Sequence, residues 1–267
     1  MPHRFRGPDN QPKDVTATPT IDPGHVRCEI TAGIATITFF HPKSNSLPGV
    51  LLTRIAEEVA VTGSNPDVRV IVLRSDGKKA FCAGASFDEL KAIRDAEGGK
   101  RFFSGFARLI LAMIRCPKFI VTRVQGKAVG GAVGVIAASD YAIASEAAEL
   151  RLSELAIGIG PFIVGLPIER KIGLAAFSAM AVDADWRNAT WGYQHGLYAE
   201  LHSDIDALDA AVARRAATLS QRNPETMAQL KKIFWSGTED WEERLDERVA
   251  MSGTLVLSEF TKKAVKG

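Results

Sequence analysis

The chain has 267 residues, of which 46% are hydrophobic and 24% charged, with 33 Lys+Arg against 31 Asp+Glu. That is the composition of an ordinary soluble globular protein, and the net charge gives no reason to expect nucleic acid or an anionic membrane as a partner. Cys28, Cys82 and Cys116 are widely spaced, so a reducing, cytoplasmic setting is expected, with no disulfide framework and no metal site.

Residues 1–25 hold five of the twelve prolines and few apolar side chains, which reads as a flexible arm with no apolar signal segment behind its basic residues. "VRCEITAGIATITFF" (26–40) gives two β-rich runs around Ala32-Gly33, a hairpin pattern. "PGVLLTRIAEEVAV" places Leu51, Leu52, Ile55 and Val59 on one helical face, with Pro48 in the first turn. "VRVIVLRS" (68–75) and "FIVTRV" (119–124) read as buried strands. Between them, "KRFFSGFARLILAMIRC" aligns Phe102, Phe103, Phe106, Leu109, Ile110, Met113 and Ile114 on one helical stripe, stopped by Pro117. A strand, a helical crossover and another apolar strand predict parallel pairing. "DYAIAS" and "AELRL" suggest further short strands. From about residue 165 the pattern is mostly helical, with Asn223-Pro224 as a helix start. The longest uncharged run, Leu155 to Ile168, is shorter than the ~20 residues a membrane span needs.

Two small-residue turns stand out. "KKAFCAGASFDEL" (78–90) follows one strand and "QGKAVGGAVGVIAASD" (125–140) another, and from Ala128 to Ala138 no side chain is polar. The glycines fit neither a phosphate loop nor a dinucleotide fingerprint: Gly130-Gly131 are adjacent, and no acidic residue follows at the ribose distance. Gly130 and Gly131 could simply allow close packing. Alternatively, amides at two helix starts could converge on one point as an oxyanion hole.

At "FCAGASFDEL", "QGKAVGGAVGVIAASD" and "LRLSELAIGIGP" the sequence resembles the crotonase (enoyl-CoA hydratase/isomerase) superfamily, over nearly everything after residue 25. The resemblance implies an α/β fold with a ββα spiral core over 26–200, a helical oligomerisation region over 201–267, and a trimer or hexamer. It implies an acyl-CoA thioester as substrate, coenzyme A entering as part of the substrate rather than as a cofactor. The amides of Ala85 and Gly131 would hold the thioester oxygen and Glu154 would act as acid–base. Ala83, Ser86, Phe87, Gly130, Gly134 and Phe162 would line the substrate. Two positions depart from the family pattern. Ser86 stands where an aspartate is usual, and Gly134 stands where hydratases often carry a second glutamate. Hydration of a short or branched enoyl-CoA is expected; isomerisation with Glu154 as sole base, or non-catalytic acyl-CoA binding, are the alternatives. Bacterial methylglutaconyl-CoA hydratases share the general look.

Overall fold

A computed structural model describes residues 23–266. The expected arm therefore lies outside the described residues up to position 22, and His25 already begins a strand. Strands β1 (His25–Thr31) and β2 (Ile34–Phe40) form an antiparallel hairpin. Its two-residue turn puts Ala32 at φ 50 and Gly33 at φ 78, the left-handed pair that matches strand twist. Helix α1 (Gly49–Ser64) buries Leu51, Leu52, Ile55 and Val59 as their spacing predicts; Pro48 sits one residue earlier, as its N-cap.

Then come β3 (Val70–Ser75), α2 (Phe87–Ala92), α3 (Ala96–Arg115), β4 (Phe119–Val124), β5 (Ala128–Val129), α4 (Gly131–Ala138), β6 (Tyr141–Ser145) and β7 (Leu150–Arg151). A short 3₁₀ turn, Leu155–Ile157, leads to α5 (Phe162–Asp183), which Gly173 interrupts. The chain ends in α6 (Ala189–Gln194), β8 (Glu200–His202), α7 (Ile205–Ser220), α8 (Pro224–Phe234), α9 (Trp241–Leu255) and α10 (Glu259–Lys266). Asn223 caps α8 by accepting the Thr226 amide at 3.0 Å.

The main sheet runs β1-β2-β3-β4-β6-β8, parallel from β2 onward. Its central strands are apolar on both faces because both are covered. Ile71, Leu73 and Ile120 belong to the core that includes residues of α1, α3 and α4. Val70, Val72, Val121 and Ile143 pack against Leu208, Ala211 and Val212 of α7. Strand β8 was not foreseen in a stretch read as helical. Three residues, Glu-Leu-His, are too few to display a period; β8 exists because β6 offers it an edge.

After leaving the main sheet the chain repeatedly makes a brief second-layer contact, then turns into a helix. Leu47 bridges Ala85, Cys82 bridges Ala128, and β5 pairs with β7 in parallel. Strand, second-layer contact, helix, repeated, is the ββα spiral, and it stacks the turns before α1, α2 and α4 side by side.

The C-terminal helices pack onto this core. Trp235, Trp241, Leu245 and Val249 are buried within it. Lys231 of α8 is 2% exposed along its side chain, pairs with Asp140 at 2.7 Å and donates to the Lys118 carbonyl at 2.8 Å. Asp140 also accepts the Ile120 amide at 2.8 Å. Lys231→Met leaves the Asp140 charge buried without its partner, so a loss of about 3–5 kcal/mol is expected. Urea unfolding followed by circular dichroism checks this; an unchanged midpoint would show that the pair does not hold α8 to the sheet.

Candidate active site

The second-layer contacts consume nearly every amide around the two turns. Leu47 donates to the Gly84 carbonyl at 2.7 Å, Ala83 to Ser44 at 3.1 Å and Ser86 to Leu47 at 3.0 Å. Cys82 donates to Lys127 at 3.2 Å and Val129 returns to Cys82 at 3.1 Å. Ala128 reaches Glu149 and Gly130 reaches Arg151, both at 2.8 Å. The amides of Ala85 and Gly131 donate to nothing among the described residues, and both residues line one cavity of about 170 Å³. Gly131 is the first residue of α4, so its amide carries the positive end of that helix's dipole. The rest of α4 is buried in the core, which explains a segment without polar side chains.

Two glycines make this approach possible. Gly84 lies at φ +89, and a Cβ there would fall 2.9 Å from the Val129 carbonyl oxygen. Gly130 lies at φ 56 and ψ −117, a region that residues with a Cβ avoid. A Cβ on it would meet Glu154 Oε1 at 2.9 Å. Gly130 is therefore both a turn residue and the floor beneath the Glu154 carboxyl group.

Glu154 lies at the start of the 3₁₀ turn after β7. The residue is only partly covered by total area, but its Oε2 is withdrawn from water and has no hydrogen-bond partner among the described residues. Burial pushes its pKa up from 4.5 to about 7, opposed only in part by the Glu154 and Ser153 amides. Such a group exchanges a proton readily near neutral pH. Of the ionisable side chains, Glu154 alone lines the cavity among the described residues.

The wall is apolar. Phe102, Phe103 and Phe106 come from α3; Phe162, Ile163 and Val164 come from α5. Phe106 was foreseen only as part of a helical core stripe. It also closes the oxyanion turn, since a Cβ on Gly131 would lie 2.3 Å from its ring. Ser252 of α9 reaches the same cavity, its hydroxyl donating to the Arg248 carbonyl at 3.0 Å. Nothing in the sequence around Ser252 signals this. A second groove shares Leu90 with the cavity and is lined by Lys91, Arg94, Lys262 and Lys266, a cationic rim from α2, its C-terminal turn and α10 that sequence reading also missed.

Ala83, Ala85, Phe87, Gly130, Gly131, Glu154 and Phe162 thus lie together in the cavity wall. Ser86 and Gly134 do not. Ser86 is buried as the N-cap of α2, its hydroxyl accepting the Glu89 amide at 3.3 Å. Gly134 faces α5: a Cβ there would meet Val164 Cβ at 2.7 Å. Val164, which does line the cavity, takes the space a side chain at 134 would use. Lys127 pairs with Glu149 at 2.7 Å and lies over the Trp186 ring. Cys82 is buried and its pKa is pushed up to about 12, which leaves no thiolate for nucleophilic work at neutral pH.

Two unengaged amides and one carboxyl of raised pKa thus share one largely apolar cavity, an arrangement able to hold an oxyanion beside an acid–base group. The enoyl-CoA hydratase/isomerase pattern matches residues 29–266, and the chain belongs to that family. It is 29% identical over 213 residues, 76% of this chain and 80% of the relative, to a (7aS)-7a-methyl-1,5-dioxo-2,3,5,6,7,7a-hexahydro-1H-indene-carboxyl-CoA hydrolase of Mycobacterium tuberculosis. It is 22% identical, over 88% of this chain and 90% of the relative, to a trans-2-decenoyl-[acyl-carrier-protein] isomerase of Streptococcus mutans. The crystal structure of an enoyl-CoA hydratase from Bacillus halodurans superposes with a TM-score of 0.84 at 20% identity, covering 90% of this chain and 98% of that one. The fold is thus the crotonase fold.

The raised pKa has a consequence for stability. An unfolded glutamate titrates near 4.5 and this one near 7, so between those values the folded chain holds the extra proton. Stability therefore falls as pH rises through that window, and the penalty is fully present above about 7. Glu154→Gln should stabilise the protein by on the order of 3 kcal/mol at pH 8, and by clearly less at pH 5. Urea unfolding at the two pH values checks this, and an equal effect at both would contradict the burial argument.

Proposed function

We propose that the protein binds an acyl-CoA thioester and shifts a carbon–carbon double bond along its acyl chain, with Glu154 as the sole acid–base group. The observation that carries this is the single carboxyl in the cavity, with Val164 filling the space in front of Gly134. The thioester oxygen accepts hydrogen bonds from the Ala85 and Gly131 amides. The Glu154 carboxylate removes a proton from the α-carbon of a β,γ-enoyl thioester, and the electron pair moves onto that oxygen as a conjugated dienolate. The protonated Glu154 then returns the proton to the γ-carbon as the electron pair falls back from the oxygen, leaving the α,β-enoyl thioester. One base suffices, and no water enters. The cationic groove of Lys91, Arg94, Lys262 and Lys266 supports coenzyme A as the carrier, because its phosphates are polyanionic.

Hydration is a second reading, favoured by one observation: Ser153 and Ser252 line the same cavity, so its wall is not wholly apolar. Glu154 would then take a proton from the water that adds to the β-carbon, and supply one to the α-carbon.

General acid–base groups contribute roughly 10²–10⁴-fold each. Glu154→Gln should therefore lower turnover by at least that range while acyl-CoA affinity stays within about tenfold, or 1.4 kcal/mol. Isotopic water separates the two readings. Isomerisation brings only solvent hydrogen into the product, whereas hydration brings solvent oxygen. Unimpaired turnover in the variant would remove Glu154 from the mechanism.

A further inference from the structure

The cavity wall also bears on which acyl groups enter. Apart from Glu154 it offers no charge, and its polar side chains are Ser153 and Ser252. The far wall is carbon. Phe102 and Phe103 pack edge to face, ring centroids 5.0 Å apart, and Ile159, Ile163 and Val164 are almost fully buried. The cation adjoining this wall, Arg248, is not in it; its guanidinium donates at 2.8 Å to the Phe162 carbonyl. A carboxylate at the end of an acyl chain would lose its hydration without gaining a partner. It would also share the cavity with Glu154, which carries negative charge above about pH 7.

Size sets a second limit. A dry cavity of about 150 Å³ lined by Leu, Ile and Phe holds one benzene molecule, and this one measures about 170 Å³. Resting on the acyl-CoA reading, we infer that the site selects uncharged, apolar acyl groups of about six carbons, and excludes both longer chains and those ending in a carboxylate. The resemblance to methylglutaconyl-CoA hydratases then does not extend to substrate, since that acyl group ends in a carboxylate.

Binding of saturated thioesters tests this without requiring turnover. Calorimetry on the full chain at pH 7.5 would compare acetyl-, hexanoyl-, decanoyl- and glutaryl-CoA, with free coenzyme A as reference. Each buried methylene contributes about 0.8 kcal/mol, or roughly fourfold. Hexanoyl-CoA should therefore bind at least tenfold tighter than acetyl-CoA and at least tenfold tighter than glutaryl-CoA, while decanoyl-CoA gains nothing over hexanoyl-CoA. Glutaryl-CoA within threefold of hexanoyl-CoA, or a steady gain out to decanoyl-CoA, would overturn the inference. Phe162→Ala should restore a gain for decanoyl-CoA, with circular dichroism confirming the fold; Phe162→Leu serves if it does not fold. If free coenzyme A and every thioester fail to bind, the acyl-CoA reading falls and the inference with it. If coenzyme A binds and the acyl groups do not discriminate, only the inference falls.

Discussion

The site depends on a short ladder of backbone hydrogen bonds that leaves two amides over. Buried N–H groups are nearly always paired, and around these turns the pairing is almost complete: Cys82, Ala83, Ser86, Ala128, Val129 and Gly130 all donate to backbone carbonyls. The amides of Ala85 and Gly131 have no acceptor among the described residues. Both residues are only partly buried and face the cavity, where an incoming oxygen can reach the two donors. The same bonds that hold the turns together fix the direction of the unpaired amides. An oxygen that gains charge beside them would meet donors already in place.

The apolar wall couples this hole to Glu154. Excluding water strengthens any hydrogen bond an anionic oxygen makes to the two amides. It also makes the charged form of a nearby carboxyl costly, which is why burial is the leading cause of the Glu154 shift. One property of the cavity, its largely apolar wall, thus bears on both the amides and the carboxyl. Val164 belongs to the same design. Where a longer side chain at 134 would reach toward the cavity, a valine of α5 occupies the space, and Glu154 is the one acid in the wall among the described residues.

Much of this was legible because local and global signals agree. Strand β4 and its neighbours are continuous apolar runs, as strands covered on both faces must be. Helix α3 shows its period clearly, and Asn223-Pro224 marks the start of α8 through capping chemistry that needs no tertiary context. What escaped depends on long-range placement. Strand β8 is a strand only because the edge of β6 is open to it. Ser86 looked like a substrate contact by position, yet its hydroxyl is engaged in capping α2. Gly134 looked like a gap in the site and is a packing contact with α5. Phe106 fitted the α3 stripe perfectly well, and no periodicity could show that its ring would lie against Gly131. The cations of α2 and α10 are far apart in sequence and meet only because both helices border Leu90.

A site whose oxyanion donors are backbone amides places few demands on side-chain identity. It asks for glycine where the turn requires left-handed backbone or close approach, at Gly84 and Gly130, and for small residues where the turns stack. Beyond that, any sequence that builds the ladder builds the hole. This explains how the chain can superpose so closely on a crotonase-fold structure with so little identity. It also explains why membership in the family does not by itself specify a reaction. The unengaged amides come with the fold, whereas the groups that distinguish one reaction from another within it are side chains on the cavity wall. In this chain those side chains are one carboxyl group, two serines and a shell of hydrocarbon, so selectivity turns on what that shell admits.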